Sequence, residues 1–184
     1  MKIIAGVWKG IHLKPPPLHL SRPTQERVKK SIFDILGLRV KEGRVLDLFA
    51  GSGSLGIEAL SRGAKEVAFV EWNPLCMRVL KENLLKLPGK KELLCMEENA
   101  FKAIGKLASQ KRCFDIVFMD PPYTKGVTTK CLRTVTQCGI LNPTAMLVVR
   151  HSRKEELPSE SGNFILLRHE RYGETVVSFY GLAG

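Results

Sequence analysis

Residues 47–56 of this chain read DLFAGSGSLG, and they connect an apolar run to the start of a helical pattern. Within them Gly51, Gly53 and Gly56 satisfy the spacing G-x-G-x-x-G. This spacing is typical of a tight turn into a helix N-terminus, where the backbone can approach a ligand because side chains are absent. Glu71 follows at the end of the next apolar run, where a carboxylate can accept both hydroxyls of a ribose. The motif predicts a site for a nucleotide-containing cofactor.

Outward from this motif, short apolar runs alternate with helical patterns. Apolar runs without polar alternation indicate strands buried on both faces, and the helices between them indicate right-handed parallel crossovers. The strands are expected at Val45–Ala50, Val67–Val70, Glu92–Met96, Phe114–Met119 and Ala145–Val149. The helices are expected at Ser54–Arg62, Leu75–Leu87, Ala100–Ser109 and Val127–Cys138. Two last runs, Phe164–Leu167 and Thr175–Tyr180, flank a glycine turn and predict an antiparallel hairpin.

Together these elements predict an α/β fold of three layers, a doubly wound Rossmann-like domain. Its sheet is expected to have seven strands, mostly parallel, with the antiparallel hairpin at the C-terminal edge. Near the N-terminus, Lys2–Gly6 and Lys9–Leu13 are interpreted as the two short strands of a hairpin. A cluster of prolines separates them from a helical pattern at Thr24–Leu36. We therefore expect a basic N-terminal hairpin arm at residues 1–22 and a Rossmann-like domain at residues 23–184.

The charge of the chain points to an anionic partner. With 29 Lys and Arg against 18 Asp and Glu, the formal net charge is +11. Residues 1–44 carry +7 of this charge, and residues 45–184 carry the other +4. An excess concentrated in a quarter of the chain favours nucleic acid, with a solvated surface as the alternative.

The composition excludes several classes of protein. A chain of 184 residues that is 44% hydrophobic suits one folded domain, and it excludes a disordered chain or a coiled coil. Every apolar run is far shorter than the ~20 residues that span a membrane, and the N-terminus lacks a secretory core, so a cytoplasmic protein is expected. The five cysteines form no C-x-x-C pair and the four histidines show no ligand spacing, so no metal site is expected. No segment demands a partner copy, and a monomer is expected.

Two cofactors fit the glycine motif. A dinucleotide would place its pyrophosphate at the helix N-terminus. S-adenosylmethionine would instead place there a methionyl end that carries an ammonium, a carboxylate and a sulfonium. Asp47, at the end of the first strand, would repel a pyrophosphate but suits a cationic amino acid moiety. A phosphate-binding P-loop is excluded, because Gly56 is followed by Ile57-Glu58 rather than by Lys and Ser or Thr.

The tetrapeptide Asp120-Pro121-Pro122-Tyr123 follows the fourth strand, and its residues suit the handling of an amine. Ligands of open α/β sheets bind beyond the carboxyl ends of the strands, so this segment should face the same crevice as the glycine turn. The Asp120 carboxylate and the Pro121 carbonyl can accept both hydrogens of one exocyclic NH2 and aim its lone pair at a methyl group. Tyr123 offers an aromatic face for a base, and such stacking is worth about 1–3 kcal/mol. A plain turn between strand and helix is the alternative interpretation.

The order of these motifs resembles that of the RsmD family of 16S rRNA guanine-N2 methyltransferases. The resemblance rests on residues 47–64, which read DLFAGSGSLGIEALSRGA, and on residues 118–123, which read FMDPPY. It extends to residues 3–6 (IIAG), to residues 22–28 (RPTQERV) and to Phe33, and so covers nearly the whole chain. It implies a class I S-adenosylmethionine-dependent methyltransferase fold, with S-adenosylhomocysteine as product and no metal.

The resemblance also implies roles for individual residues. The expected cofactor contacts, from the methionyl end to the adenine, are Asp47, Phe49, Ala50, Gly51, Ser52, Gly53, Glu71, Trp72, Asn99 and Ala100. Among them Glu71 is expected at the ribose, Trp72 along the adenine and Asn99 at the amino edge of the adenine. The catalytic residues that would present the guanine are Asp120, Pro121, Pro122 and Tyr123.

The partner that the resemblance implies is 16S rRNA, within the assembled small ribosomal subunit. A guanine must be unpaired or flipped out of its stack before its N2 amine can enter a site. Basic residues around the site would hold the neighbouring phosphates, and their number would set the salt dependence of binding. The candidates are Lys2, Lys9, Lys14, Arg22, Arg27, Lys29, Lys30 and Lys125.

The residues alone leave other functions open. An amino methyltransferase acting on adenine N6 of DNA or on a protein glutamine would share the glycine turn and a Pro-Pro motif, although a glutamine-modifying enzyme more typically has Asn where Asp120 stands. An NAD-dependent oxidoreductase would use the glycines and Glu71, but no acid suited to hydride transfer is evident. A non-catalytic RNA-binding module is a further alternative, but it would not require the segment 120–123.

Overall fold

The computed structural model describes residues 1–16, 26–89, 92–122 and 126–182. In these ranges eight strands form one sheet in the order β3-β2-β1-β4-β5-β8-β7-β6. The strands are β1 (Arg44–Asp47), β2 (Glu66–Val70), β3 (Glu92–Met96), β4 (Phe114–Met119), β5 (Leu141–Ser152), β6 (Glu160–Ser161), β7 (Phe164–Tyr172) and β8 (Thr175–Leu182). The first five run parallel, and β8 pairs antiparallel with both β5 and β7.

This sheet confirms the predicted fold, with one strand more than the seven expected. The extra strand, β6, consists of two residues that pair antiparallel with the start of β7 at the outer edge. A two-residue strand leaves no hydrophobic periodicity in a sequence, and for that reason the pattern did not reveal it.

The helices follow the predicted alternation closely. They are α1 (Glu26–Leu36), α2 (Ser54–Ser61), α3 (Pro74–Leu85), α4 (Ala100–Ser109) and α5 (Val127–Gln137), with a short 3-10 helix at Gly37–Val40 after α1. Local chemistry fixes several of their starts. Asn73 caps α3 by accepting from the Leu75 and Cys76 N–H groups, and Pro74 supplies the first helical residue.

Two hydrophobic clusters lie on the two faces of the sheet and give the three layers. The first packs α1, α2 and α3 against one face, with Ile32, Leu60 and Leu80 among its buried side chains. The second packs α4 and α5 against the other face, with Leu107 and Leu132 at its centre. Because both faces of the central strands are buried, these strands read as continuous apolar runs.

The N-terminal residues 1–16 pack on the domain instead of projecting from it. Their two halves pair around an antiparallel bridge between Lys2 and His12, so the predicted hairpin is present in a very short form. Ile3, Trp8 and Leu13 belong to the same buried cluster as α1 and α2. The predicted boundary between residues 22 and 23 lies outside the described residues, and it stays a prediction.

The topology brings the ends of four parallel strands to one edge of the sheet. The Leu48 N–H donates to the Phe118 carbonyl, and the Ala50 N–H donates to the Val70 carbonyl. The residues that follow β1, β2 and β4, together with the last residues of β5, therefore lie side by side at this carboxyl edge. Ligands of doubly wound sheets bind at such an edge.

Candidate active site at the carboxyl edge

The glycine turn after β1 has the backbone that its sequence predicts. Gly51 and Gly53 have φ angles of 56° and 83°, in the left-handed region that favours glycine. A Cβ atom on Gly53 would lie 2.3 Å from Cδ1 of Leu80, and one on Gly56 would lie 2.3 Å from Cε1 of Phe69. The first two glycines shape the turn, and the third lets α2 pack closely on β2.

Glu71 ties this turn to the end of β2. Its Oε2 accepts from the Gly51 N–H at 2.8 Å, and its Oε1 accepts from the Asn73 N–H at 2.8 Å. The side chain is buried, so these two bonds fix its orientation. Each carboxylate oxygen has a second lone pair, and a ribose hydroxyl can use it. The geometry therefore fits the predicted ribose contact and adds a structural role to it.

Asp47 is the most deeply buried carboxylate at this edge. Its Oδ2 accepts from the Gly56 N–H at 2.9 Å, which holds the first turn of α2 against the end of β1. Burial raises the pKa of Asp47 from 3.8 to about 7, the Gly56 hydrogen bond opposes this rise, and the carboxylates of Asp120 and Glu71 add to it. Three acidic side chains thus converge here, and the cluster favours a cationic ligand.

Asp120, at the end of β4, is paired with an arginine that the sequence analysis did not single out. Its Oδ1 accepts from Nε of Arg150 at 2.8 Å, and the two side chains are 19% and 10% exposed. Burial raises the pKa of Asp120, while the adjacent Arg150 guanidinium acts against that rise. Arg150 directly follows the apolar run 145–149, which predicts a strand that ends at the same edge. This position could have identified Arg150 as a residue of the site.

The predicted adenine contacts lie after β2 and at the start of α4. Trp72 is 65% exposed, an unusual environment for an indole ring beside a buried carboxylate. Asn99 is exposed and caps α4, with its Oδ1 accepting from the Phe101 N–H at 2.9 Å. Ala100 buries its methyl group in the core of α4 and α5, so only its backbone could face a ligand.

Asn83 joins the N-terminal segment to the glycine turn, and its sequence context gave no sign of this. It is completely buried on α3. Its Oδ1 accepts from the Lys14 N–H at 2.8 Å, while its Nδ2 donates to the carbonyls of Lys14 and Ser52, both at 3.0 Å. Every polar atom of the amide is therefore used, as a buried amide requires. The contact fixes the predicted cofactor residue Ser52 through its backbone.

The other predicted residues of the glycine turn are Ala50 and Phe49. Ala50 is buried, and its carbonyl accepts from the Gly53 N–H at 2.7 Å. Phe49 is half-buried and packs against the cluster under α4 and α5. Pro121 and Pro122 follow Asp120 at the edge, whereas Tyr123 lies outside the described residues.

Five of the predicted phosphate contacts are exposed, namely Lys2, Lys9, Lys14, Arg27 and Lys30. The prediction for Lys29 is wrong, because its side chain is only 1% exposed. Its Nζ lies 3.2 Å from Oε2 of Glu58 and donates to the Lys2 carbonyl at 2.8 Å. The helical pattern could not reveal this, since the partner comes from α2. Arg22 and Lys125 lie outside the described residues.

The buried Glu58 organises the docking of residues 1–16. Its carboxylate accepts from the N–H groups of Ile4 and Ala5 at 2.9 and 3.0 Å, and from Nε of Arg62 at 2.9 Å. With Lys29 and Arg62 it forms a network of one anion and two cations, in which Glu58 and Lys29 are buried and Arg62 is half-buried. The network explains why the segment follows the surface of α2.

Comparison with known proteins assigns the fold and the site to a family. A family model described as Conserved hypothetical protein 95 matches residues 1–181. The chain belongs to this family. It is 34% identical over 179 residues to Ribosomal RNA small subunit methyltransferase D of Haemophilus influenzae, which covers 97% of this chain and 91% of that protein. It is 37% identical over 184 residues to YlbH of Bacillus subtilis, provisionally named an rRNA methyltransferase, with all of both chains covered. These matches confirm the predicted membership of the RsmD family.

Solved structures agree with this assignment. A protein of Escherichia coli, provisionally named the methyltransferase yhhF, superposes on this RsmD-family chain with a TM-score of 0.87 at 30% identity, covering 99% of this chain and 97% of that one. The chain is therefore a methyltransferase with a class I fold. A methyltransferase of Streptococcus mutans, described as dependent on S-adenosylmethionine, shares this fold at 15% identity with a TM-score of 0.71, so the fold agrees with the predicted cofactor.

Two further findings concern metals and membranes. In the described ranges, no group of His, Cys, Asp and Glu side chains is arranged to hold a metal ion. None of the helices in the part of the chain that the structure describes is long and apolar enough to cross a membrane.

Proposed function

We propose that this RsmD-family enzyme transfers a methyl group to the exocyclic N2 amine of a guanine in 16S rRNA, within the assembled small ribosomal subunit. The observation that carries the proposal is the position of Asp120. It is a half-buried carboxylate at the carboxyl edge, followed by two prolines and placed near the carboxylates of Asp47 and Glu71.

The residues at this edge suit S-adenosylmethionine, which in turn supplies an electrophilic methyl group on a sulfonium. The glycine turn lets a ligand meet backbone rather than side chains. The raised pKa of Asp47 marks a buried carboxylate that a cationic ammonium would neutralise. Glu71 would hold the ribose, the exposed ring of Trp72 would lie along the adenine, and the amide of Asn99 would meet the adenine edge.

Asp120 and Pro121 would handle the acceptor amine. One N–H of the guanine would donate to Asp120 and the other to the Pro121 carbonyl, which turns the nitrogen lone pair toward the methyl group. The N–C bond forms as the C–S bond breaks, and the electron pair of the C–S bond stays on sulfur. The nitrogen then gives its extra proton to Asp120 or to water. Pro122 would hold the segment rigid, and Tyr123 would stack on the base.

The exposed basic residues suit the rRNA around the guanine. Lys2, Lys9, Lys14, Arg27 and Lys30 lie on the N-terminal segment and on α1, to which Arg22 and Lys125 would add. A relative carries the name of a small-subunit rRNA methyltransferase. A monomer working in the cytoplasm suffices for this chemistry. Adenine in DNA and protein glutamine are the competing amines, and the same assay separates them.

The test compares acceptors and then dissects the site. Labelled methyl transfer from S-adenosylmethionine would be measured with small subunits that lack the modification, with free rRNA, with DNA and with protein. We expect label in the small subunits. Label confined to DNA or protein, or found in none of the four, would refute the proposal.

A pair of variants on β4 then tests the role of Asp120. Asp120→Asn should lower turnover by about 100-fold and leave cofactor affinity within a few-fold, because an amide accepts the amine hydrogens more weakly. Asp115→Asn changes a carboxylate at the opposite end of the same strand and should leave turnover unchanged. A parallel loss of affinity and turnover in Asp120→Asn would show that Asp120 holds the cofactor or the fold instead.

A further inference from the structure

Arg150 is a buried cation, and one of its partners is the residue that the proposed function places at the acceptor amine. It lies near the end of β5, next to β4 in the sheet, and Val149 pairs in register with Met119. The register therefore places Arg150 directly opposite Asp120. The resulting bond joins Nε to Oδ1 at 2.8 Å with both side chains largely withdrawn from water.

A buried ion pair by itself contributes little to the stability of a fold. Taking two charges out of water costs several kcal/mol per ion, and the attraction between them often only balances that cost. The chain holds a comparable Arg–Glu pair on its surface, where Nε of Arg168 lies 2.6 Å from Oε1 of Glu170 and the side chains are 56% and 32% exposed. The Arg150–Asp120 pair, in contrast, is largely withdrawn from water and lies beside the proposed site.

Resting on the proposed function, we propose that Arg150 is a positioning residue that fixes Asp120 and keeps it ionised for the acceptor amine. Its bond to Oδ1 holds the carboxylate in one rotamer. Oδ2 is then the oxygen that meets the N–H of the amine. Only the ionised carboxylate offers both oxygens as acceptors, because a protonated one would present a donor to an amine that has hydrogens to give.

The other charges at this edge make such a cation necessary. Asp47 at the end of β1 and Glu71 after β2 are the acidic groups that share this edge with Asp120. Asp120 and Glu71 both raise the pKa of Asp47, so negative charge is already crowded at this edge, and burial disfavours the ionised form of Asp120 itself. The guanidinium of Arg150, from β5, opposes the effect of burial on Asp120. Without it, burial would raise the pKa of Asp120 further and favour the protonated carboxyl, which binds the amine hydrogens less well.

The test is the pH profile of methyl transfer to small subunits. In Arg150→Gln, we expect the acid limb of kcat to move upward by about one pH unit or more, because an opposite charge at this distance lowers a carboxyl pKa by about 1–3 units. Turnover near neutral pH should fall about tenfold or more and recover as the pH rises. The affinity for S-adenosylmethionine should change little.

Two further variants separate this role from a merely structural one. Arg150→Lys keeps a cation, so its acid limb should stay near that of the wild type with a reduced plateau, since Nζ cannot reproduce the geometry of Nε. Arg168→Gln removes the exposed arginine of the surface pair and should leave the profile unchanged. If Arg150→Gln does not fold, the comparison of Arg150→Lys with the wild type still decides, since an unchanged plateau would refute the positioning role.

Two further results would overturn the inference. One is an Arg150→Gln profile that coincides with the wild-type profile after scaling for the folded fraction. The other is an equal shift of the limb in Arg150→Gln and Arg150→Lys. Both differ from failure of the proposed function, in which the wild type itself transfers no label to small subunits.

Discussion

Replacing Asp47 by Asn tests whether the site is built at the expense of stability. Burial raises the pKa of Asp47 to about 7 in the folded chain, against an ordinary value of 3.8. The unfolded chain therefore loses this proton first, and the free energy of unfolding falls as the pH rises from about 4 to about 7, then levels. At about 1.4 kcal/mol per unit of pKa, the cost reaches about 4 kcal/mol above neutral pH.

Asp47→Asn cannot ionise, and its amide oxygen can still accept from the Gly56 N–H. Losing the charged acceptor costs about 1–2 kcal/mol, so at alkaline pH the variant should be more stable than the wild type by about 2–3 kcal/mol. For a chain of this size that raises Tm by roughly 5–10 °C. Near pH 4 the two proteins should have similar stability, because Asp47 is then protonated in the folded state.

The assay is thermal and urea unfolding of cofactor-free protein at several pH values, with cofactor affinity measured in parallel. The exposed Asp34→Asn serves as the control and should shift stability by less than about 0.5 kcal/mol at any pH. We expect Asp47→Asn to gain stability and to bind S-adenosylmethionine about tenfold or more weakly, because the ammonium loses its anion. A stability difference that does not change with pH would refute the reasoning.

Three other predictions concern packing, the cofactor and the docked N-terminal segment. Gly56→Ala should lower the free energy of unfolding by about 1–3 kcal/mol, because its Cβ would press on Phe69. As the control, Gly105→Ala on α4 places its Cβ in open space and should raise the free energy of unfolding by about 0.5–1 kcal/mol. Unfolding curves that rank the two variants in the opposite order would contradict this prediction. Trp72→Ala should weaken cofactor binding about tenfold without changing Tm, because the exposed ring contributes little to the core. Calorimetric titration measures the affinity, and an unchanged affinity would show that Trp72 does not contact the adenine. Glu58→Gln should lower the free energy of unfolding, measured in urea, by about 3–5 kcal/mol, because Lys29 would be left as an unpaired buried cation. A decrease below about 1 kcal/mol would show that this network contributes little to stability.

The fold could be predicted from the sequence where local pattern and tertiary environment agree. The helix α4 begins and ends at the predicted residues, because Asn99 marks its start and its apolar spacing continues to the end. The strand β5 is longer than the apolar run 145–149 that revealed it. Its first residues, Leu141 to Thr144, are half-buried or exposed. Leu141 pairs with Phe114 of β4, and the register then shifts before Met146 pairs with Ile116, which no local pattern records.

The site could be predicted where one motif holds the chemistry, and not where the contact joins distant segments. The glycine turn and Glu71 follow each other along the chain, so their spacing reveals them. Arg150 reaches Asp120 only because β4 and β5 are neighbours, and Asn83 reaches Lys14 across 69 residues. A lysine at a basic position looks like a phosphate contact until its partner is known, and for Lys29 that partner is the buried Glu58.

The most direct test of the central claim is the chemical identity of the methylated nucleoside. Small subunits lacking the modification would be incubated with the enzyme and labelled S-adenosylmethionine, and their RNA would be digested to nucleosides and separated. We predict that the label elutes as N2-methylguanosine, and that Asp120→Asn forms this product about 100-fold more slowly. Label in any other nucleoside, such as N6-methyladenosine, would contradict the account, because the amine held between Asp120 and Pro121 would then not be that of guanine.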